Sequence, residues 1–551
     1  MEGNRRMKIK KVKIQNFKSF YGEFVLELSD GMNILVGNNE AGKSTILEAI
    51  HIALTGLLNG RQAKNELTQY FFNNTVVSEY LTKLEQKQSP ELPYILIEIY
   101  LSGEDIALLE GNGNSDRAKE SGISLKICFD EKYQGEYEQL VSKGDVKTLP
   151  IEYYDFVWST FAREIITPKS IPLKSALIDS SSNRYQNGSD IYISRIVREN
   201  LEPEDIVDIS QAHRKMRDNF MSSESIKVIN ARIQETAVLT GKKVELSVEL
   251  LSKNAWENSL VTYLDDVPFH FVGKGEQCIV KTELALSHKK TRAAAVILME
   301  EPENHLSHTK LNQFINKIAE NQQDKQIIVS THSSFVANKL GLSNLILLND
   351  KKAAKLSDLK DDTGIFFQKV AGYDTLRLIL CKKAILVEGD SDELVIQKAY
   401  MLSNVGKLPI HDEIDVISVG TSFLRFLEIA VLLNKPVTIV TDNDGDIDAI
   451  TRKYSDYLGD NAKDFIKICY DQTIDEGDLV IGKNPFNYNT LEPKLLKVNE
   501  LSKLNTIFGT KYTQIDDMHK YMKSNKTECA LKIFETDDTV IFPEYILEAI
   551  R

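Results

Sequence analysis

The stretch Gly37-Asn38-Asn39-Glu40-Ala41-Gly42-Lys43-Ser44 constrains this chain more than any other, because it sits between the apolar run Met32 to Val36 and a helix-forming run that begins near Lys43. It satisfies the pattern G-x-x-x-x-G-K-[ST] in the strand, turn and helix context that the pattern's chemistry needs. Gly37 and Gly42 let the backbone N–H groups of the turn, those of Asn38 and Asn39 among them, wrap phosphates. The helix N-terminus favours anions, Lys43 reaches the terminal phosphates, and the Ser44 hydroxyl can hold Mg²⁺, with Thr45 beside it. ATP with Mg²⁺ is the expected cofactor. A strand feeding such a turn belongs to an α/β sheet.

Two later segments extend this reading. Val296-Ile297-Leu298-Met299-Glu300-Glu301-Pro302-Glu303 reads as a buried strand ending in acids, which places carboxylates beside a nucleotide's metal and the attacking water. Taken with Lys43 the segment resembles a Walker B element, and the resemblance implies that Glu300 supports Mg²⁺ and Glu301 is the water-activating base. Ile328-Val329-Ser330-Thr331-His332-Ser333 is another apolar strand ending in a polar turn, where His332 can contact a γ-phosphate. Gln62 and Gln69 are both candidates for a further nucleotide contact, and ordinary surface glutamines would look the same. Before the first turn, strands are expected at Met7 to Ile14 and Glu23 to Leu28; further strands follow at Tyr94 to Tyr100, Ser124 to Phe129 and Val244 to Leu251. From about residue 165 to 240 a helical insertion is expected, with Ile193, Ile196, Val197 and Leu201 on one face. Such helices can pair with a second copy or pack on their own sheet.

After about residue 380 a second α/β unit begins, with strands at Ala384 to Val387, Ile414 to Val419 and Pro436 to Thr441 and a mainly helical tail after Leu495. Glu388 ends the first of these strands, Gly389 permits a close turn, and Asp392 lies about one helical turn further on. The third ends in Asp442-Asn443-Asp444-Gly445-Asp446. Carboxylates gathered at one sheet edge repel one another unless cations sit between them, which argues for Mg²⁺, with Mn²⁺ as an alternative. Asp446 reads as a solvated turn residue, and the bidentate acid that an EF-hand needs at its loop end is missing.

Composition sets limits. With 551 residues the chain exceeds what one core usually serves, so two or more domains are expected. No window offers a membrane span and charges interrupt the N-terminal segment, so a cytoplasmic protein without membrane contact is expected. The five cysteines lack metal or disulfide spacing and read as packing residues. A net charge of −13 argues against indiscriminate coating of nucleic acid, yet a local basic groove can hide within an acidic total.

In order along the chain, the phosphate loop, the weak signature Val272-Gly273-Lys274-Gly275-Glu276-Gln277, the Glu300/Glu301 strand and the His332 turn resemble the P-loop, signature, Walker B and H-loop of ABC-type ATPase heads. Asn16-Phe17-Lys18-Ser19-Phe20 resembles the N-terminal segment of recombination-repair and SMC-type heads. Glu300 stands where those ATPases more usually have aspartate. The Glu388 and Asp442/Asp444 segments resemble the EG and DxD motifs of Toprim domains. Asn489-Thr490-Leu491-Glu492 resembles the late acidic motif of OLD (overcoming lysogenization defect) Toprim domains, and Lys526 their C-terminal lysine. The domain order is that of OLD nucleases and of Gabija-type and retron-associated defence nucleases. The resemblance implies an ABC-like head over 1–380 carrying a helical dimerisation insertion, and a Toprim nuclease domain with helical tail over 381–551. It also implies a homodimer or higher homo-oligomer with ATP at the interface, DNA as substrate, and a defence-system partner of protein or nucleic acid. Metals held by Glu388, Asp392, Asp442, Asp444 and Glu492 would serve DNA cleavage or nicking, with Lys526 neutralising phosphate charge. Two other readings compete: a Toprim topoisomerase or primase, and an SMC-like DNA-binding ATPase whose Toprim part is structural.

Overall fold

The computed structural model describes residues 7–38, 40–58, 61–104, 106–144, 146–179, 185–186, 189–190, 201–236, 244–247, 262–287, 294–304, 309–310, 313, 325–333, 344–349, 352–355, 358–369 and 373–551. Two compact units result: residues 1–33 with 44–331, and residues 34–43 with 332–551. Residues 332–380 thus fall in the second unit, although the sequence groups them with the first.

In the first unit the alternating segments pair as an antiparallel sheet. Lys8–Gln15 lies between Glu23–Glu27 and Ile95–Ser102, which continues through Glu120–Phe129 and Tyr154–Thr160. Its buried face is made of β-branched and aromatic side chains such as Ile9, Val12, Ile14, Ile97 and Ile99, the residues that suit a pleated, half-buried surface. Three strands, Ser175–Asp179, Val296–Glu300 and Gln326–Thr331, run parallel with Val296–Glu300 in the middle. All four apolar residues of Val296–Glu300 are at most 1 % exposed, as a parallel strand covered on both faces requires. Gln326 is fully buried and fastens the two sheets: its amide donates to the Ile9 and Ser29 carbonyls and its oxygen accepts from the Ile9 N–H.

Two sequence expectations are corrected here. Residues 165–179 hold no α-helix, since Ile165–Ile166 and Ser175–Asp179 are strands flanking a 3₁₀ turn at Pro168–Ser170; the described α-helices of the insertion are Pro203–Ser222 and Glu224–Thr236. A short apolar segment such as Ser175–Asp179 shows its strand nature only through its partner, Val296–Glu300, far along the chain. Of the strand expected at Val244 to Leu251, residues 244–247 carry no strand pairing, the Val244 and Leu246 N–H groups donating to side chains of the Glu224–Thr236 helix, and residues 248–251 lie outside the described residues. The expected face of Ile193, Ile196 and Val197 lies outside the described residues.

In the second unit, the Ile34–Gly37 part of the Met32–Gly37 strand runs parallel to Leu345–Asn349, which pairs antiparallel with Lys352–Lys355. A separate four-stranded parallel sheet follows, in the order Ile414–Ser418, Lys383–Val387, Val437–Val440, Ile466–Cys469. Helices Asp390–Ser403, Leu491–Val498, Leu501–Phe508, Ile515–Ser524, Lys526–Glu535 and Glu544–Ile550 share one core with this sheet, built from residues such as Ile385, Val395, Leu495, Met518 and Ile546. Parallel strands place all their C-terminal ends at one edge, which is where ligand sites of such sheets form. Among the described residues no helix is long and apolar enough to cross a membrane, and Cys128, Cys381, Cys469 and Cys529 are free, the last three buried.

Candidate functional site

The phosphate loop is drawn tight around its lysine. Lys43 is 4 % exposed, and its ammonium donates to the Gly37 and Asn38 carbonyls at 2.9 and 2.8 Å. It also meets His332 Nδ1 at 3.3 Å. An ammonium can only donate, so in this contact Nδ1 is the acceptor. Gly42 has φ +86, the left-handed conformation that glycine adopts without strain. At Gly37 the constraint is contact, since a Cβ would stand 2.5 Å from the Leu348 carbonyl oxygen and 2.8 Å from Ala41 Cβ. We therefore expect Gly37→Ala to cost roughly 1–3 kcal/mol, the usual range for overpacking; an unchanged urea midpoint would refute the close approach. Asn39 lies outside the described residues.

The other nucleotide-motif residues belong to the first unit. Ser44 is exposed, while the buried Thr45 hydroxyl oxygen accepts from the Ser19 hydroxyl at 3.2 Å. Lys18 forms an ion pair with Glu48, a partner the sequence did not single out, and Asn73 donates to the Lys18 carbonyl. These contacts fix the Asn16–Phe20 segment against the Lys43–Thr55 helix. Glu300 ends its strand opposite Ser330, so the acidic strand and the strand leading to His332 are neighbours as expected. Glu301 has φ +40, an uncommon conformation for a residue with a Cβ; its N–H donates to the Ser330 carbonyl and its carboxylate accepts from Asn304 at 2.9 Å. The signature-like stretch opens the Lys274–Ser287 helix, and Gln277 is buried there against the Phe269 and Val272 carbonyls. Gln62 is exposed, and Gln69 is half-buried in a short 3₁₀ turn.

At the C-terminal edge of the four-stranded sheet, the expected acids come together from four segments. Glu388 follows the Lys383–Val387 strand and is exposed. Asp392 accepts from the Gly389 N–H at 3.0 Å, capping the first turn of the helix it begins. Asp442 and Asp444 follow the Val437–Val440 strand, Asp444 at φ +48 and accepting from Asn487 at 2.8 Å. Glu492 is 6 % exposed in the first turn of its helix, where Lys526 pairs with it at 3.3 Å and Thr490 donates to it.

These groups act on one another. Burial, then the charges of Glu492 and Glu388, push the Asp392 carboxyl up to about 6, against the opposing pull of the Gly389 N–H and Lys526. Burial, then Asp392, Glu492, Asp444 and Glu388, hold Asp442 well above the usual carboxylate range. Burial works against the charge on Lys526, but Glu492, Asp442 and Asp392 outweigh it and raise its pKa. Among the described residues no three His, Cys, Asp or Glu side chains meet at one ion-sized position, so the acids feel each other's charge while standing apart. The donor set, carboxylate oxygens only, fits a hard divalent cation, and a cation would remove the repulsion that raises Asp442 and Asp392. Asp446 takes no part: it is more than half exposed and caps the Ile447–Lys453 helix by accepting from the Ala449 N–H, a capping role where a solvated turn residue was expected.

Behind the acids lies a polar layer that sequence reasoning did not identify. Lys494, 2 % exposed, pairs with Asp471 and Asp475 and donates to the Thr473 carbonyl. Burial opposes ionisation of both aspartates, but hydrogen bonds from Thr473 and Lys494 to Asp471, and from Lys494 and Lys497 to Asp475, hold them below the usual range. Tyr545 is buried over the cluster; burial first, then Asp442 and Asp392, drives its hydroxyl far from ionisation. The available signal for Lys494 was a lysine on the apolar face of Leu491–Val498, whose neighbours Leu491, Leu495 and Leu496 are all buried.

The comparisons with known proteins agree with this division of labour. A family model described as an AAA domain matches residues 11–373, and one described as the TOPRIM domain of overcoming lysogenization defect protein-like proteins matches residues 379–444. The DNA replication and repair protein RecF of Clostridium botulinum is 26% identical over 320 residues, 47% of this chain and 85% of that protein. The DNA double-strand break repair Rad50 ATPase of Archaeoglobus fulgidus is 41% identical over 61 residues, 11% of this chain and 7% of that protein. Among solved structures, the recombination mediator protein RecF with ATP aligns at 12% identity and TM-score 0.33, covering 64% of this chain and 99% of that one. The SMC head domain from Thermotoga maritima aligns at 13% and 0.30, covering 63% and 97%. With more than half of its length matched by the first model and the second directly behind it, the chain belongs to the AAA-domain family and carries the ATPase-plus-TOPRIM architecture of OLD proteins.

Proposed function

We propose that this protein is an ATP-regulated, divalent-metal-dependent DNA endonuclease that cleaves or nicks DNA as a cytoplasmic anti-phage defence effector. In this reading residues 1–380 are the ATPase part and 381–551 the nuclease, and the chain works as a homodimer or higher homo-oligomer with a defence-system partner. The observation that carries it is the electrostatic coupling of Glu388, Asp392, Asp442, Asp444 and Glu492, with two of them held above their ordinary range and Lys526 against a third. Such mutually repelling acids are costly to a metal-free fold and useful to one that binds Mg²⁺ or Mn²⁺.

Glu388, Asp392, Asp442, Asp444 and Glu492 would hold the ions. Bound cations would supply charge stabilisation on a phosphodiester and a water of lowered pKa. Asp392 is oriented by the Gly389 N–H it accepts from. Lys526, half exposed, pairs with Glu492, and in this reading it would neutralise an incoming phosphate. On the ATPase side, Gly37, Asn38, Asn39, Gly42, Lys43, Ser44, Thr45, Glu300 and His332 bind nucleotide, and Glu301 directs water.

The test is incubation with supercoiled plasmid, with Mg²⁺ or EDTA and with ATP varied. Nicked or linear product that needs Mg²⁺, and that falls by at least about 100-fold in Glu388→Ala, is expected. Relaxed, ligatable circles would point to a topoisomerase. DNA bound but left intact under every condition would make the chain a DNA-binding ATPase instead.

A further inference from the structure

Glu492 and the Asp442-Asn443-Asp444 turn lie far apart in the chain, yet both are fastened to residues 471–475, the stretch that leaves the Ile466–Cys469 strand. From the turn, the buried Asn443 amide donates to the Asp471 and Thr473 carbonyls at 2.7 and 2.9 Å. From the helix, Lys494, two residues beyond Glu492, donates to the Thr473 carbonyl at 2.8 Å and to Asp475 at 2.7 Å, and pairs with Asp471 at 3.2 Å. Asn489 closes the clamp: its amide donates to the Asp475 carbonyl at 2.9 Å and its oxygen accepts from the Asp475 N–H at 2.7 Å.

We propose that Lys494 is a positioning residue that sets the spacing between Glu492 and the Asp442/Asp444 turn, and thereby the affinity of the acidic cluster for a divalent cation. The inference rests on the metal-site reading above. An ammonium has three donors, and at 2 % exposure those of Lys494 are matched by three oxygens of one stretch. Without it, two carboxylates and a carbonyl face one another with only Lys497, half exposed, left on Asp475 at 2.6 Å. The stretch then moves outward and takes with it the two carbonyls that anchor Asn443. Lys494 supplies no ligand, so its effect reaches the ion only through geometry, as outer partners of metal ligands do.

The experiment is calorimetric titration of Mn²⁺ into the full-length, nucleotide-free protein, paired with thermal unfolding. Lys494→Met keeps the apolar stem and removes the charge; its Mn²⁺ Kd should rise by about 10-fold or more. Asn489→Ala should weaken Mn²⁺ as well, and the double variant should lose less than the product of the single losses, since both grip one stretch. Should Lys494→Met fail to fold, Asn489→Ala and Asp475→Asn carry the same comparison. A purely structural lysine predicts a lower melting temperature with Mn²⁺ affinity within threefold of wild type, and that result overturns the proposal. Wild-type protein that takes up no Mn²⁺ would instead overturn the metal-site reading itself, before any variant is compared.

Discussion

Asp442→Asn is expected to abolish metal-dependent cleavage and, in the same molecule, to make the metal-free protein more stable. Asp442 is held well above its ordinary pKa by burial and by the surrounding carboxylates, and Asp392 is held at about 6 for the same reasons. The unfolded chain releases these protons near pH 3.8, whereas the folded chain keeps them longer. Between those limits the native state binds more protons, so stability falls as pH rises. The contribution is complete below about pH 4 and is lost as pH climbs through about 6 for Asp392 and through the raised pKa of Asp442. At pH 7.5 the wild type therefore bears the repulsion that asparagine lacks. Asp442→Asn is therefore expected to unfold at a higher denaturant midpoint than the wild type there. At pH 4 the gain should vanish. Mg²⁺ or Mn²⁺ should reverse the order at pH 7.5 by stabilising only the wild type, through binding to the folded state. Cleavage should fall by more than about 100-fold, beyond what loss of an outer partner costs. An Asn variant that unfolds at the wild-type midpoint at pH 7.5, in a protein that Mn²⁺ does not protect, would show that the acids are not a strained cation site.

How much of this was legible beforehand depends on whether the decisive contact is local. The Met32–Gly37, Val296–Glu300, Lys383–Val387 and Val437–Val440 strands were readable because each is a short apolar run ending in a polar motif, and such runs need no partner to be recognised. The same holds for Glu388, Asp392, Asp442 and Asp444, which stand at the ends of two of those strands or at the start of the following helix, whereas Glu492 sits in the separate Leu491–Val498 helix. Ser175–Asp179 was absorbed into the helical insertion and Ile466–Cys469 was not singled out, because their strand character comes from parallel neighbours elsewhere in the chain. Lys494 illustrates the harder limit. Its pairing with Asp471 and Asp475 needs a helix and a strand exit to meet, and nothing in Leu491–Val498 alone distinguishes a clamping lysine from a snorkelling one. Asn443 is the middle residue of the DxD stretch, a position the pattern leaves open, yet its amide carries the turn's anchorage.

The second large effect is expected at Lys43, where nucleotide control and phosphodiester chemistry should come apart. The Lys43 ammonium bonds to the Gly37 and Asn38 carbonyls of its own loop and contacts His332 Nδ1. An arriving triphosphate must compete for those bonds, so what Lys43 gains is the difference between two carbonyls and a charge-assisted contact to phosphate. Hydrogen bonds to charged groups contribute roughly 1.5–3 kcal/mol, which places the loss of ATP affinity in Lys43→Ala at about 10- to 100-fold. The acids that would hold metal are fixed by other strands and helices, so Mn²⁺ affinity should stay within threefold of wild type. Cleavage by Lys43→Ala should persist, and its rate should no longer change as ATP is varied. Fluorescent-nucleotide binding, Mn²⁺ calorimetry and the plasmid assay on one preparation measure all three. If the variant loses cleavage together with Mn²⁺ affinity, the phosphate loop holds the metal site together and the two chemistries are one. If its cleavage still follows ATP concentration, control passes through residues other than Lys43.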